Sequence, residues 1–172
     1  MPETCKCKPI AVNFTIVMKK ALKIIAIVLF VVFVVLQFFR PDFTNPPVTQ
    51  AETLEATTQV PENVEAILKR SCNDCHTNET SYPWYSKIQP SASFLKGHID
   101  EGRGQLNFSV WGTYEARRKR KKLEEVCEQV NAKEMPLTSY VLIHWSAKLS
   151  DENAKILCDW ATAEKTRIES AP

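Results

Sequence analysis

The sequence has little glycine, four residues in 172, and this excludes a collagen-like repeat. It shows no internal repeat and no stretch of alternating apolar and polar residues, so solenoids and β-sandwiches are excluded as well. It lacks a charge surplus in its larger part. From Pro61 to Pro172, sixteen lysines and arginines face sixteen aspartates and glutamates, and the overall +2 comes from the first sixty residues. A neutral domain is a poor nucleic-acid binder, because phosphate neutralisation dominates such affinity, so no nucleic-acid partner is expected. Histidine is scarce too, with three in the chain, and no second C-x-x-C or H-x-H pair accompanies Cys72 and Cys75. A structural zinc site would want such a pair. Six cysteines are too few for a disulfide scaffold of this length.

What is present begins with a long apolar run. Ala21–Phe39 reads ALKIIAIVLFVVFVVLQFF and is unbroken from Ile24 to Leu36. A spanning helix needs roughly 17–25 residues, so residues 21–39 predict one transmembrane signal-anchor helix with Lys23 snorkelling. Lys19, Lys20 and Lys23 flank the start of the run, while Arg40 and then Asp42, Glu52 and Glu55 follow it. That asymmetry puts residues 1–20 in the cytoplasm and the chain beyond residue 39 on the outer side of the membrane, in a single-pass protein; where the membrane is a bacterial inner membrane, that side is the periplasm. Gln37-Phe38-Phe39-Arg40-Pro41 is too bulky for a cleavage site, which favours retention of the anchor. Residues 1–17 show no pattern, and Met18-Lys19-Lys20 resembles the usual beginning of such a segment, so Met18 is an alternative start. Cys5 and Cys7 form a C-x-C, a weak metal site by itself. Residues 40–60, rich in Pro, Thr and Gln, predict an extended polar linker.

Residues 61–168 predict an all-α domain. Val64, Ile67, Leu68 and Cys72 recur at helical spacing behind Pro61. Ser91 or Ser93 can cap a helix bearing Phe94, Leu95 and His98, ended by Gly102 and Gly104. Leu123, Val126, Cys127 and Val130 share one face of a helix over 115–132. Ser150 caps a last helix with Leu157, Trp160 and Ala161 inward. The intervening loops, 77–90, 103–113 and 133–149, are long enough to suggest that they wrap something.

The chemistry concentrates in Cys72-Asn73-Asp74-Cys75-His76. C-x-x-C-H is the signature of c-type haem attachment. Two thiols add to two vinyl groups on one porphyrin edge, and the adjacent histidine reaches the iron as proximal ligand. A redox dithiol would want a βαβ setting, which is absent. For the opposite face, Met135 is the one methionine after Met18, in Glu134-Met135-Pro136. Its thioether would raise the reduction potential and suit electron transfer. Core packing is the ordinary alternative for a methionine, and His98 and His144 are the rival ligands.

These residues resemble a known family, the small haem-binding domain proteins of Gram-negative envelopes. The likeness covers Val60 to about Lys165. It is carried by Ser71-Cys72-Asn73-Asp74-Cys75-His76, Tyr82-Pro83-Trp84-Tyr85, Gly97-His98-Ile99-Asp100-Glu101-Gly102-Arg103, Leu106-Asn107-Phe108, Glu134-Met135-Pro136 and Leu149-Ser150. The resemblance implies a cytochrome c-like bundle holding one haem c per chain, often tethered at its N-terminus, and with it a bacterial inner membrane for the anchor. Trp145 after His144 departs from the proline expected there.

Other candidates have two readings each. Trp84 could pack on the porphyrin and Tyr85 hydrogen-bond a propionate, or both could be core residues. Arg103 and Arg118 are candidate propionate partners. The run Arg117–Lys122 is a solvated helix face or a docking patch for an acidic redox partner or anionic lipid. Cys127 and Cys158, exported to an oxidising compartment, either form a disulfide or remain two buried thiols. The expected role is that of an electron carrier rather than an enzyme, with an unidentified redox partner. A haem-based sensor with an open or displaceable distal site is the alternative, and a peroxidase a more distant one.

Overall fold

The computed structural model describes residues 14–170. The C-x-C of Cys5 and Cys7 lies outside the described residues, as does most of the segment before Met18. Every regular element among the described residues is a helix, so the all-α expectation holds.

Helix α1 runs Phe14–Leu36. Three lysines, Lys19, Lys20 and Lys23, interrupt its first half. The apolar remainder, Ile24–Leu36, spans about 20 Å at ~1.5 Å per residue, against a hydrocarbon core of about 30 Å. No helix among the described residues is long and apolar enough to cross a membrane. The transmembrane span expected over 21–39 thus finds no support in this helix. The helix starts earlier and ends at Leu36, and residues 37–39 leave it in a turn.

That turn is pinned to the rest of the chain. The Gln89 amide N–H donates to Gln37 Oε1 at 3.0 Å, and Gln37 Nε2 donates to the Gln89 carbonyl at 3.3 Å. Gln89 Nε2 reaches the Phe39 carbonyl at 2.6 Å, and Arg40 Nη1 the Lys87 carbonyl at 3.2 Å. Residues 40–60, expected as a free linker, are likewise held. Asn45 Nδ2 donates to the Thr80 carbonyl and Asn45 Oδ1 accepts from Tyr82 Oη, and Asn78 Nδ2 donates to the Pro47 carbonyl. Helix α2, Leu54–Thr57, is capped by Thr53, and Leu54 is completely buried. Polar composition concealed this, because the polar side chains here make specific bonds rather than solvate the chain.

Helix α3, Glu62–Ser71, buries Val64, Ile67, Leu68 and Ser71 on one face. Glu62 and Glu65 in its first turn and Lys69 and Arg70 in its last complement the helix dipole. Cys72 breaks the helix with φ −126° and ψ −41°, and α4, Asn73–His76, follows. Helix α5 spans Ser91–Gln105, α6 Ala116–Asn131, α7 Thr138–Val141 and α8 Asp151–Ser170. Short 3-10 turns at Trp84–Lys87, Phe108–Thr113 and Trp145–Ala147 occupy the expected loops. Helices α6 and α8 pair along their lengths and α3 lies against α8. The core they enclose joins Leu54, Leu68, Trp111, Leu123 and Leu157. Cys127 and Cys158 form a disulfide across the α6–α8 pair, their Cα atoms 5.1 Å apart. Of the two outcomes open from the sequence, bonding is the one realised.

Candidate functional site

The break at Cys72 turns the C-x-x-C-H segment across the end of α3 and against α5. Close approach at that contact depends on Gly102. A Cβ there would stand 2.8 Å from the Cys75 carbonyl oxygen and 3.2 Å from its Cβ, so any larger residue forces the two segments apart. Gly102 therefore sits inside α5 as a contact residue, and neither it nor Gly104 ends the helix.

The same contact orients His76. Its Nδ1 lies 2.9 Å from the Leu106 carbonyl and 3.1 Å from the Gly102 carbonyl. Carbonyl oxygens only accept, so Nδ1 carries the hydrogen and Nε2 is left with its lone pair. Burial holds the His76 pKa below the usual histidine value, against the opposing pull of those two carbonyls. The ring is thus the neutral tautomer with a free Nε2, the state in which imidazole ligates a metal. Burial also pushes the Cys72 thiol up to about 12 and the Cys75 thiol to about 11. Both are held as neutral thiols, which disfavours a reactive dithiol or a thiolate metal site.

Cys72, Cys75, His76 and Met135 line one cavity of about 600 Å³, a size suited to a cofactor. Leu68, Leu106, Phe108, Val126 and Leu137 make its apolar wall. Met135 lies partly buried between α6 and α7, packed against the core. Ser71 lines the same cavity, and its buried Oγ has no hydrogen-bond partner in the protein. Two neutral thiols, a free imidazole nitrogen and a thioether around an apolar cleft fit the donor set of a haem site. No group of three or more His, Cys, Asp or Glu side chains among the described residues could hold a metal ion alone.

The sequence profile of the haem-binding domain family matches residues 31–163, more than three quarters of the chain. The chain belongs to the haem-binding domain family. The match begins inside α1 and takes in residues 40–60, in keeping with their packing against the domain. No curated protein and no solved structure matches the chain.

Within this haem-binding domain, several sequence-derived candidates stand away from the cavity. Trp84 is 73% exposed and meets Tyr85 edge-on. Tyr85 Oη lies 2.8 Å from His144 Nε2, and the His144 ring stacks on Tyr140 at 4.3 Å. His144 is therefore a structural histidine. Arg103 donates to the Thr77 carbonyl, Asn45 Oδ1 and Thr80 Oγ1, all within 2.8 Å, and so pins the 77–80 loop. The Arg118 guanidinium lies 3.9 Å from the centroid of the Tyr114 ring. His98 does line the cavity, beside Phe94.

Several lining residues escaped sequence reasoning, Lys122 and Tyr140 among them. Lys122, the last of the basic run, lines the cavity with its side chain 13% exposed and reaches Glu125 Oε2 at 2.6 Å. Its spacing with Val126 and Gln129, i, i+4 and i+7, was the available signal. Tyr140 lines the cavity and donates to Asp74 Oδ2 at 2.6 Å. Nothing in its local sequence marks that role.

Proposed function

We propose that this haem-binding domain carries one covalent haem c, on Cys72 and Cys75, with His76 as proximal and Met135 as distal ligand. The observation that carries the reading is the state of His76. Its Nδ1 is committed to two backbone carbonyls and its Nε2 is free at a cavity that both thiols and Met135 share. In attachment, each thiol adds across a vinyl group, sulfur to one carbon and hydrogen to the other. Bound haem supplies a one-electron redox centre. The protein's own part is to fix the imidazole, present the thioether and keep water from the apolar wall.

Function follows as one-electron transfer to a separate redox partner. The Cys127–Cys158 disulfide supports an oxidising compartment, here the periplasm. The exposed apolar run Ile24–Leu36 supports attachment to the inner membrane by insertion of α1 into lipid. A second reading, a module that binds a small ligand at the haem, is favoured by the incomplete burial of Met135. Maturation in a host with haem-attachment machinery, followed by acid–acetone extraction, tests the central claim. Haem should stay with the polypeptide, and free haem in the extract would refute covalent attachment.

A further inference from the structure

Beyond α1, the exposed large apolar side chains among the described residues fall in three segments: Phe38 and Phe39; Trp84, Ile88 and Phe94; and Leu142, Ile143 and Trp145. These segments adjoin one another. Gln89 is bonded to Gln37 and to the Phe39 carbonyl. Tyr85, beside Trp84, is bonded to His144, beside Trp145. The patch therefore continues from the end of α1, over the Trp84–Lys87 turn, to the turn that follows α7. Trp145 and Phe38 are 80% and 82% exposed. A soluble domain rarely leaves so many large apolar side chains together on its surface without a use.

Charge narrows the occupant. Residues 37–41, 84–98 and 138–148 contain no aspartate or glutamate, and they contribute Arg40, Lys87, Lys96 and Lys148; Lys96 is half-buried and paired with Asp100, while the other three are exposed. Tryptophan rings prefer the water–lipid boundary, where one edge stays wet and the body is apolar. Lysine and arginine beside them are drawn to anionic headgroups. The patch also begins where the apolar helix ends, held there by the Gln37–Gln89 amide pair and the bond from Arg40 to the Lys87 carbonyl.

We propose that this face docks on an anionic lipid surface beside the end of α1, fixing the haem domain in one orientation against the membrane. The inference rests on the reading that α1 inserts into lipid. Docking would hold the Tyr140 edge of the cavity close to the bilayer, because Tyr140 stacks on His144 within the patch.

Photolabelling of the full-length, haem-loaded protein tests it. Vesicles rich in phosphatidylglycerol would carry a phospholipid with a diazirine near its headgroup, and adducts would be mapped by peptide mass spectrometry. Adducts are expected on α1 and on the peptides holding Trp84–Ile88 and Leu142–Trp145, several-fold above α8. In the double variant Trp84→Ser, Trp145→Ser, those two peptides should lose their adducts while α1 keeps its own. Adducts confined to α1 in the unaltered protein would overturn docking and leave insertion standing, and would point to a protein partner for the patch. Adducts on the two domain peptides without α1 would overturn insertion and uphold docking. Adducts on none of the three would overturn both.

Discussion

Tyr140 donates its phenolic hydrogen to Asp74 Oδ2 at 2.6 Å, across 66 residues of sequence. Asp74 is the second variable position of C-x-x-C-H, and Tyr140 lies in α7, five residues beyond Met135. The bond therefore ties the segment that presents the thioether to the segment that presents the thiols and the imidazole. This charge-assisted bond adds a directional link between the two walls, which also pack on a common core.

Removing that bond should loosen the distal wall. Tyr140→Phe is expected to cost about 1–3 kcal/mol, the range for a hydrogen bond to a charged group, and to weaken the sulfur-to-iron charge-transfer band. Burial, with the Asp74 bond and charge, raises the Tyr140 pKa. The folded chain thus keeps a proton that the unfolded chain releases near pH 10, so the contribution is complete below about pH 10 and is lost as pH rises further. Thermal unfolding from pH 8 to 11 should show a steeper alkaline decline in the wild type than in Tyr140→Phe. Identical pH slopes would remove Tyr140 from this role.

Met135→Ala should abolish the charge-transfer band and open the iron to carbon monoxide. The reduction potential should fall by on the order of 0.1 V, within the ~0.8 V that axial ligands command. His144 is no substitute, because its Nε2 is engaged by Tyr85 and its ring by Tyr140. An unchanged spectrum in the variant would transfer the distal role to His98, which does line the cavity.

Periodicity and motif made much of this legible. The faces of α3, α6 and α8, and the C-x-x-C-H turn, follow from helical spacing and one pentapeptide. Pairwise contacts between distant segments do not. Residues 40–60 look like a spacer because Thr, Asn and Gln are polar, yet Asn45 bonds the 80–82 loop and Leu54 is buried. Arg103 has the chemistry of a propionate partner and is consumed by Thr77, Asn45 and Thr80. Gly102 reads as a helix stop and acts as a clearance between helices. Each misreading concerns a residue whose partner lies twenty or more positions away, where local pattern carries no signal.

Gly102→Ala tests the clearance. The new Cβ would meet backbone, the Cys75 carbonyl at 2.8 Å, which cannot swing aside like a side-chain tip. Overpacking of this kind costs about 1–3 kcal/mol and would shift the Gly102 carbonyl that orients His76. The expected result is a lower yield of haem-loaded protein at equal expression, with a perturbed Soret position in what remains. Gly104→Ala is the control, because nothing lies within 4 Å of a Cβ at Gly104. Equal yields from the two variants would dismiss the role assigned to Gly102.

The disulfide offers the last test. Cys127 lies in α6 and Cys158 in α8, 31 residues apart, and the closed loop contains Met135 and Tyr140. Constraint of the unfolded chain by a loop of this size stabilises by roughly 3–4 kcal/mol on the chain-entropy estimate. The pairing of α6 with α8 is the most extensive helix contact in the domain, so the native pair should persist without the bond. The double variant Cys127→Ala, Cys158→Ala, matured normally, should therefore keep its haem spectrum and unfold at markedly lower denaturant concentration. Loss of the charge-transfer band alongside would show that the bond also holds the Met135 loop in place. Alkylation of Cys127 and Cys158 themselves in the denatured, unreduced wild type, located by peptide mass spectrometry and so distinct from any at Cys5, Cys7, Cys72 or Cys75, would show that the bond does not form.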